Sequence, residues 1–326
     1  MTENRPAVDG IGGPVRNHGL SRTVLLWFLL LALLPMSLVA SISYLQARAS
    51  LTRAAENALI DAAQADINFV SNWFEYRFMD LRREAEDGSN TALLASLAEG
   101  LQQSGGDPAE YVKSFDWARS VDGVQDDLVR QARQFDHIYD LLLIDLEGNI
   151  LFTVAREFDL GTNLFDGPYA GTRFGRAVRD SLETGRARFS DLERYAPSDN
   201  TIAGFLTAPL IDEFGAKVGV FAIQLKLDRV FRQMNAAGHG GSSQNHYLAG
   251  QDGLLRTAIT DTNEEVLTRA VDTAPFLRWR QARGDGGPQP PQKLREKVST
   301  YAGPDGQIVL GLLQSLPLPG GIDWAL

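Results

Sequence analysis

The chain has 326 residues and no cysteine, so it has room for about two domains and cannot form a disulfide or a thiolate metal site. With 44% hydrophobic and 22% charged residues it reads as a folded chain rather than a disordered one. A net charge of -10, with no basic stripe beyond the arginines that flank the first apolar run, excludes a nucleic-acid partner.

Residues 1–22 form a Gly/Pro-containing tail. The run "TVLLWFLLLALLPMSLVASISYLQA" that follows, residues 23–47, carries no charge. A spanning helix needs about 20 apolar residues, whereas the apolar part of a cleaved signal is only about 7–15. Residues 23–45 are therefore expected to be an uncleaved transmembrane helix, with the lipid bilayer as partner and Pro35 tolerated inside it. Arg5, Arg16 and Arg22 precede the span and Arg48 and Arg53 follow it. That small excess places the N-terminus in the cytoplasm and the rest outside.

Residues 46–135 continue as helices. Ile60, Ile67, Phe74 and Leu81 recur at sevens, with Ala63 and Val70 between them, as one apolar stripe requires. The stripe can pack on its own domain or form a homodimer seam. Asp87 and Gly88 end it, and a second helical block runs from Thr91 to Gln103, stopped by "SGGDP". Asp107-Pro108-Ala109-Glu110 is a capping box opening the next helix, which Val121, Val124, Leu128 and Phe135 keep periodic.

From residue 136 the pattern becomes a sheet. "IYDLLLID", a turn at "LEGN" and "ILFTVA" read as a hairpin; a second, Phe205 to Leu227, turns at Glu213-Phe214-Gly215. Between them lie the loop "EFDLGTNLFDGPYAG", a helix from Thr172 to Thr184 closed by Gly185, and a strand near Phe189. The figure then recurs in shorter form. "YLAGQDGLLRTA" turns at Asp252-Gly253 and "VSTYAGPDGQIVLGLLQSL" turns at Pro304-Asp305-Gly306, with a helical segment near Glu264 to Arg283 and the loop "GDGGPQPPQ" between them. Two modules, residues 136–233 and 246–326, are thus expected, joined by a linker at 234–245.

An apolar span, a long helix and two PAS-like antiparallel sheets resemble the double Cache sensor region of bacterial transmembrane receptors. "DLGTNLFDGPY", "FSDLERYAPSDNTIAGFLTAPLIDEFGAKVGVFAIQLKLDRV" and "YLAGQDGLLR" carry the resemblance. It implies an α+β fold in which the first, membrane-distal module holds a small extracytoplasmic solute and the second, membrane-proximal module relays it. It also implies a bacterial plasma-membrane receptor, with a second span and an output domain beyond a chain that stops within its last strand. The output expected is a histidine kinase; a methyl-accepting chemotaxis receptor or a nucleotide cyclase is the alternative. The aromatic and arginine pattern of amino-acid-binding members is not evident, so no amino acid is assigned as ligand. A membrane-tethered module that binds another polypeptide through its sheet edges is the reading from a different class.

No catalytic motif is present: no GxxxxGK loop, GxSxG elbow or HExxH pair. His18, His137, His239 and His246 are scattered without zinc-ligand spacing, and neither metal nor cofactor is expected. A recognition pocket needs an apolar wall with a few fixed polar groups. "SDLERYAPSDNTIAGFLT" offers Asp191, Tyr195, Asn200, Phe205 and Thr207, with Tyr139 and Arg173 as additions, the arginine as a carboxylate partner. The structural alternative is that Asp191 orders the loop, Tyr195 packs, and residues 197–200 are a turn. "RWRQARG", Arg278 to Gly284, is expected to be a solvated helix face rather than an anion patch.

Overall fold

The computed structural model describes residues 18–227, 230–232, 234, 245–259, 263–284 and 298–326; the expected linker and the "GDGGPQPPQ" loop fall almost wholly outside this set, as does His239. The chain divides into two compact units, Met1–Ala58 and Leu59–Leu326.

In the first unit, helix α1 (His18–Ala85) is long and apolar enough to cross a membrane. Leu25, Trp27, Phe28, Leu31 and Met36 are all exposed along it. An apolar surface all round a helix suits lipid and not water.

In the second unit the stripe of α1 turns inward. Val70, Phe74, Phe78 and Leu81 are buried, while Ile60 remains 42% exposed. Asp87 does not simply stop α1: its carboxylate accepts from Ser89 N and caps α2 (Gly88–Gln103), which therefore starts three residues earlier than expected. Asp107 likewise caps α3 (Pro108–Tyr111). That helix is a single turn, because Ser114 accepts from Trp117 N and starts a separate α4 (Phe115–Gln134). The sequence had suggested one continuous helix there. The apolar periodicity runs through the break, but the serine cap resets the backbone.

The first sheet contains β1 (Ile138–Asp145), β2 (Ile150–Thr153), β3 (Arg188–Tyr195), β4 (Thr201–Ile211) and β5 (Lys217–Leu225) in the order β2-β1-β5-β4-β3, all antiparallel. Both faces are covered, which explains the unbroken run "LLLI". Leu141 and Leu143 pack into the core shared with α1, α2 and α4; Leu142 and Ile144 pack on the other face beneath α5 (Arg173–Thr184). Thr172 caps α5 and Gly185 closes it in the left-handed conformation, as the sequence suggested.

The second sheet region holds β6 (Ala249–Gly250), β9 (Ser315–Leu318) and β10 (Ile322–Ala325) in the order β6-β10-β9, and a separate pair, β7 (Ser299–Ala302) with β8 (Ile308–Gly311). The turn glycines that marked the repeat, Gly148, Gly215, Gly253 and Gly306, all have positive φ, between 75° and 91°. The expected helix at 264–283 is shorter: a 3-10 turn at Asn263–Glu265 and then α6 (Ala274–Gly284). Arg278 and Arg280 lie on its exposed face; Arg283 instead bonds Asp323 and stacks over Trp279. The two sheet regions share a core: Phe74 of α1 touches the rings of Phe189 on β3 and Trp324 on β10.

Candidate functional site

Two groups of buried polar residues emerge, one under α5 and one between the two sheet regions. Under α5, Phe174 stacks on Phe205 with ring centroids 3.9 Å apart, and Tyr195 meets Phe205 edge-on at 4.9 Å. Tyr195 donates its hydroxyl to Asp159 Oδ2 at 2.8 Å. The other oxygen, Asp159 Oδ1, is buried and takes no hydrogen bond among the described residues. Burial, then the neighbouring Glu157 charge, pushes this carboxyl up to about 6, although the Tyr195 bond opposes the shift. Asp140 lies nearby and accepts from Leu141 N, Val154 N and Ala155 N, each at 2.8 Å. Burial outweighs those three bonds and pushes it up to about 7, with the Asp159 charge adding to the rise.

A separate polar chain beside this group reaches the surface. Gln224 of β5 donates to Ser198, Ser198 donates to Glu157 Oε2, and Tyr139 donates to Glu157 Oε1. The Glu157 bond and then burial push the Tyr139 hydroxyl up to about 12. Thr207 is buried 2.7 Å from Ser181 and donates to Ala177 O, tying β4 to α5. Asn200 follows Asp199 in a turn where both have positive φ, and it is exposed.

The second group centres on Asp191. Its φ is 63°, in the left-handed region, and β3 shifts register between Phe189 and Leu192 to admit it. The fully buried Arg256, 0% exposed, donates Nε to Asp191 Oδ1 at 2.8 Å and Nη2 to Oδ2 at 2.6 Å, a bidentate pair. Trp324 Nε1 and Leu192 N also donate to Oδ1, at 2.9 and 2.8 Å. Arg173 Nη1 donates to Asp191 Oδ2 at 2.6 Å, and its Nη2 reaches Asp252 Oδ2 at 2.7 Å; Arg256 Nη2 bonds Asp252 as well, at 2.9 Å. Two arginines and two aspartates thus close a ring of balanced charge. Burial would lower the Arg256 pKa, but the bonds and charges of Asp191 and Asp252 outweigh it and raise it. Burial would raise Asp252, and the same arginine holds it below the usual carboxylate range. Gly250 is required here because a Cβ would collide with the Arg256 guanidinium.

The ring joins α5 and β3 of the first sheet region to the 252–256 turn and β10 of the second. The candidate residues therefore divide. Tyr195 and Phe205 come together under α5 with Thr207 nearby; Arg173 and Asp191 meet in the ring; Tyr139 and Asn200 stand toward the surface. Arg256, Asp252, Trp324, Asp159 and Asp140 were not anticipated. Arg256 left one trace in the sequence: it is the lone basic residue of the hairpin that turns at Asp252-Gly253.

No family model matches the chain, and no curated protein is significantly similar to it. Solved structures are similar in fold. One is a methyl-accepting chemotaxis protein X, at TM-score 0.51 and 14% identity, covering 85% of this chain and 97% of that one. Another is the ligand-binding domain of the amino acid chemoreceptor PctC of Pseudomonas aeruginosa PAO1 in complex with GABA, at TM-score 0.50 and 14% identity, covering 83% and 97%. The sensor domain of the V. cholerae histidine kinase DctB aligns at TM-score 0.49 and 13% identity, covering 82% and 96%. The chain thus shares its α+β fold with the first two of these structures.

Proposed function

We propose that the chain is the sensory input of a membrane receptor that detects a small extracytoplasmic solute at the cluster of aromatic and carboxyl groups under α5. The observation that carries this reading is the buried Asp159 Oδ1, an unpartnered acceptor beside the rings of Tyr195 and Phe205. Leaving such an oxygen unmade costs about 1–3 kcal/mol, a cost that a donor group on a bound solute removes. Tyr195, Phe205 and Asp159 are the contacts, Thr207 supports them from β4, and Tyr139 and Asn200 stand toward the surface. Arg173 and Asp191 belong to the relay into the second sheet region.

In this reading α1 crosses the plasma membrane with residues 1–22 in the cytoplasm, and the sheet regions are periplasmic modules of a homodimer. Residues 136–233 form the membrane-distal module and 246–326 the proximal one. The output is a histidine kinase; a chemotaxis receptor is the second reading, favoured by the fold shared with chemoreceptor ligand-binding domains.

The test is thermal unfolding of the full chain in lipid nanodiscs against a panel of small amines, alcohols and carboxylates. A solute at about 100 times its Kd adds about 2.7 kcal/mol, a rise of roughly 4 °C in a chain of this size. The rise is expected for a donor-bearing solute and is expected to vanish in Asp159→Asn. A panel without effect, or a rise that survives both Asp159→Asn and Tyr195→Phe, overturns the assignment.

A further inference from the structure

Three arginines that stand apart in the sequence share one groove. Arg82, in the last turn of α1, and Arg186 and Arg188, at the entry to β3, line a space of about 680 Å³, within the range of small-molecule sites. Ala208 of β4 and Gly320 of the β9–β10 turn line it as well. A Cβ on Gly320 would lie 2.6 Å from Phe189 N, so this turn rests directly on the start of β3.

The charge of the groove is uncompensated. Arg83, next to Arg82, pairs with Asp80 and Glu84, and Arg173 and Arg256 pair within the Asp191 ring. Among the described residues, Arg82, Arg186 and Arg188 pair with no carboxylate, and Glu86 is the one carboxylate on the groove. Arg188 is held by neutral acceptors instead. Its Nη1 donates to Gly320 O at 3.4 Å and its Nη2 to Thr184 Oγ1 at 3.2 Å, while Nε is buried and donates to nothing among the described residues. Two helices end here, α1 and α5, and a cation offsets the partial negative charge of a helix C-terminus. The end of α5 is already served, because Lys217 Nζ donates to Leu182 O. Dipole compensation thus accounts for Arg82 and leaves Arg186 and Arg188 without a charge partner. In a chain of net charge -10, a groove with three cations and one carboxylate draws anions to itself.

We propose that this groove binds a phosphoryl group, carried by inorganic phosphate or by a small phosphate monoester. One guanidinium fork satisfies a planar carboxylate; three forks exceed that need and match the three terminal oxygens of a phosphoryl group. The bound anion ties α1 to the entry of β3, at the place where the β9–β10 turn rests on that strand, and gives the molecule a second input. No residue of the groove belongs to the cluster under α5, so the inference stands apart from the solute reading.

The test is calorimetric titration of the full chain in maltoside micelles, at fixed ionic strength and at pH 8, where a phosphoryl group is a dianion. Inorganic phosphate, glycerol phosphate and succinate are the probes. Saturable binding of a phosphate is expected, about tenfold or more tighter than that of succinate, and the tighter of the two phosphates identifies the carrier. Arg82→Gln and Arg186→Gln, each at an exposed side chain whose loss does not endanger the fold, are expected to weaken it about tenfold. Arg119→Gln, which removes an exposed charge on α4, is expected to leave it unchanged. Absence of saturable phosphate binding, succinate bound as tightly, undiminished binding in both groove variants, or equal weakening in Arg119→Gln overturns the proposal.

Discussion

Removing the Arg256 guanidinium leaves Asp191 buried with half its ion pairing, and breaking a buried pair costs about 3–5 kcal/mol. Arg256→Leu is therefore expected to lose that much by denaturant unfolding. Arg173→Gln, whose side chain is 29% exposed, is expected to lose no more than about 1–2 kcal/mol. Because Asp191 serves both arginines, Asp191→Asn combined with Arg256→Leu should cost clearly less than the sum of the two single changes. Additive losses would show that the ring does not act as a unit. Asp159 yields a pH prediction. Its folded value, raised to about 6, lies above the ordinary 3.8. The stability of its protonated form is thus fully present below pH 4 and is lost as pH rises through 6. Asp159→Asn, which keeps the uncharged shape, should be more stable than the parent by about 3 kcal/mol at pH 8 and close to it near pH 4. A stability difference that does not change with pH would contradict the raised value. That Tyr195 and Phe205 come together was legible because an aromatic pair flanks a polar loop. Asp159 was not, because its burial depends on how residues 156–172 fold over the sheet. The partners of Arg173 and Asp191 were equally invisible: Arg256 and Trp324 are 65 and 133 residues from Asp191, and its left-handed backbone leaves no mark in composition.

Among the elements, α1 changes character along its length. Its lipid-like first part was readable from charge-free length alone, and the packed part from spacing in sevens. What spacing could not decide was which turns of the stripe are covered. Phe74→Ala is expected to cost about 3–5 kcal/mol, as for other buried phenylalanines, while Ile60→Ala should change stability by less than about 0.5 kcal/mol. A large loss at Ile60 would mean that a second copy covers it, and the loss would then depend on protein concentration. The hairpins were the most legible elements, since each depends on a glycine at one turn position. The second sheet region was least legible. Its strands are too short for alternation to register, and its expected long helix is replaced by a turn and α6.

At the scale of the whole molecule, both sheet regions rest on α1, and the Asp191 ring ties them directly to one another. Phe74 sits at the meeting point, in contact with Phe189 from one sheet and Trp324 from the other. A displacement that carries both sheets and α1 together leaves this aromatic triad undisturbed. Sliding of either sheet against the other or against α1 shears it, and close-packed rings resist shear by moving as a block. Phe74 is therefore loaded by any relative movement of the helix and the two sheets, as a pin through two plates carries the load of both.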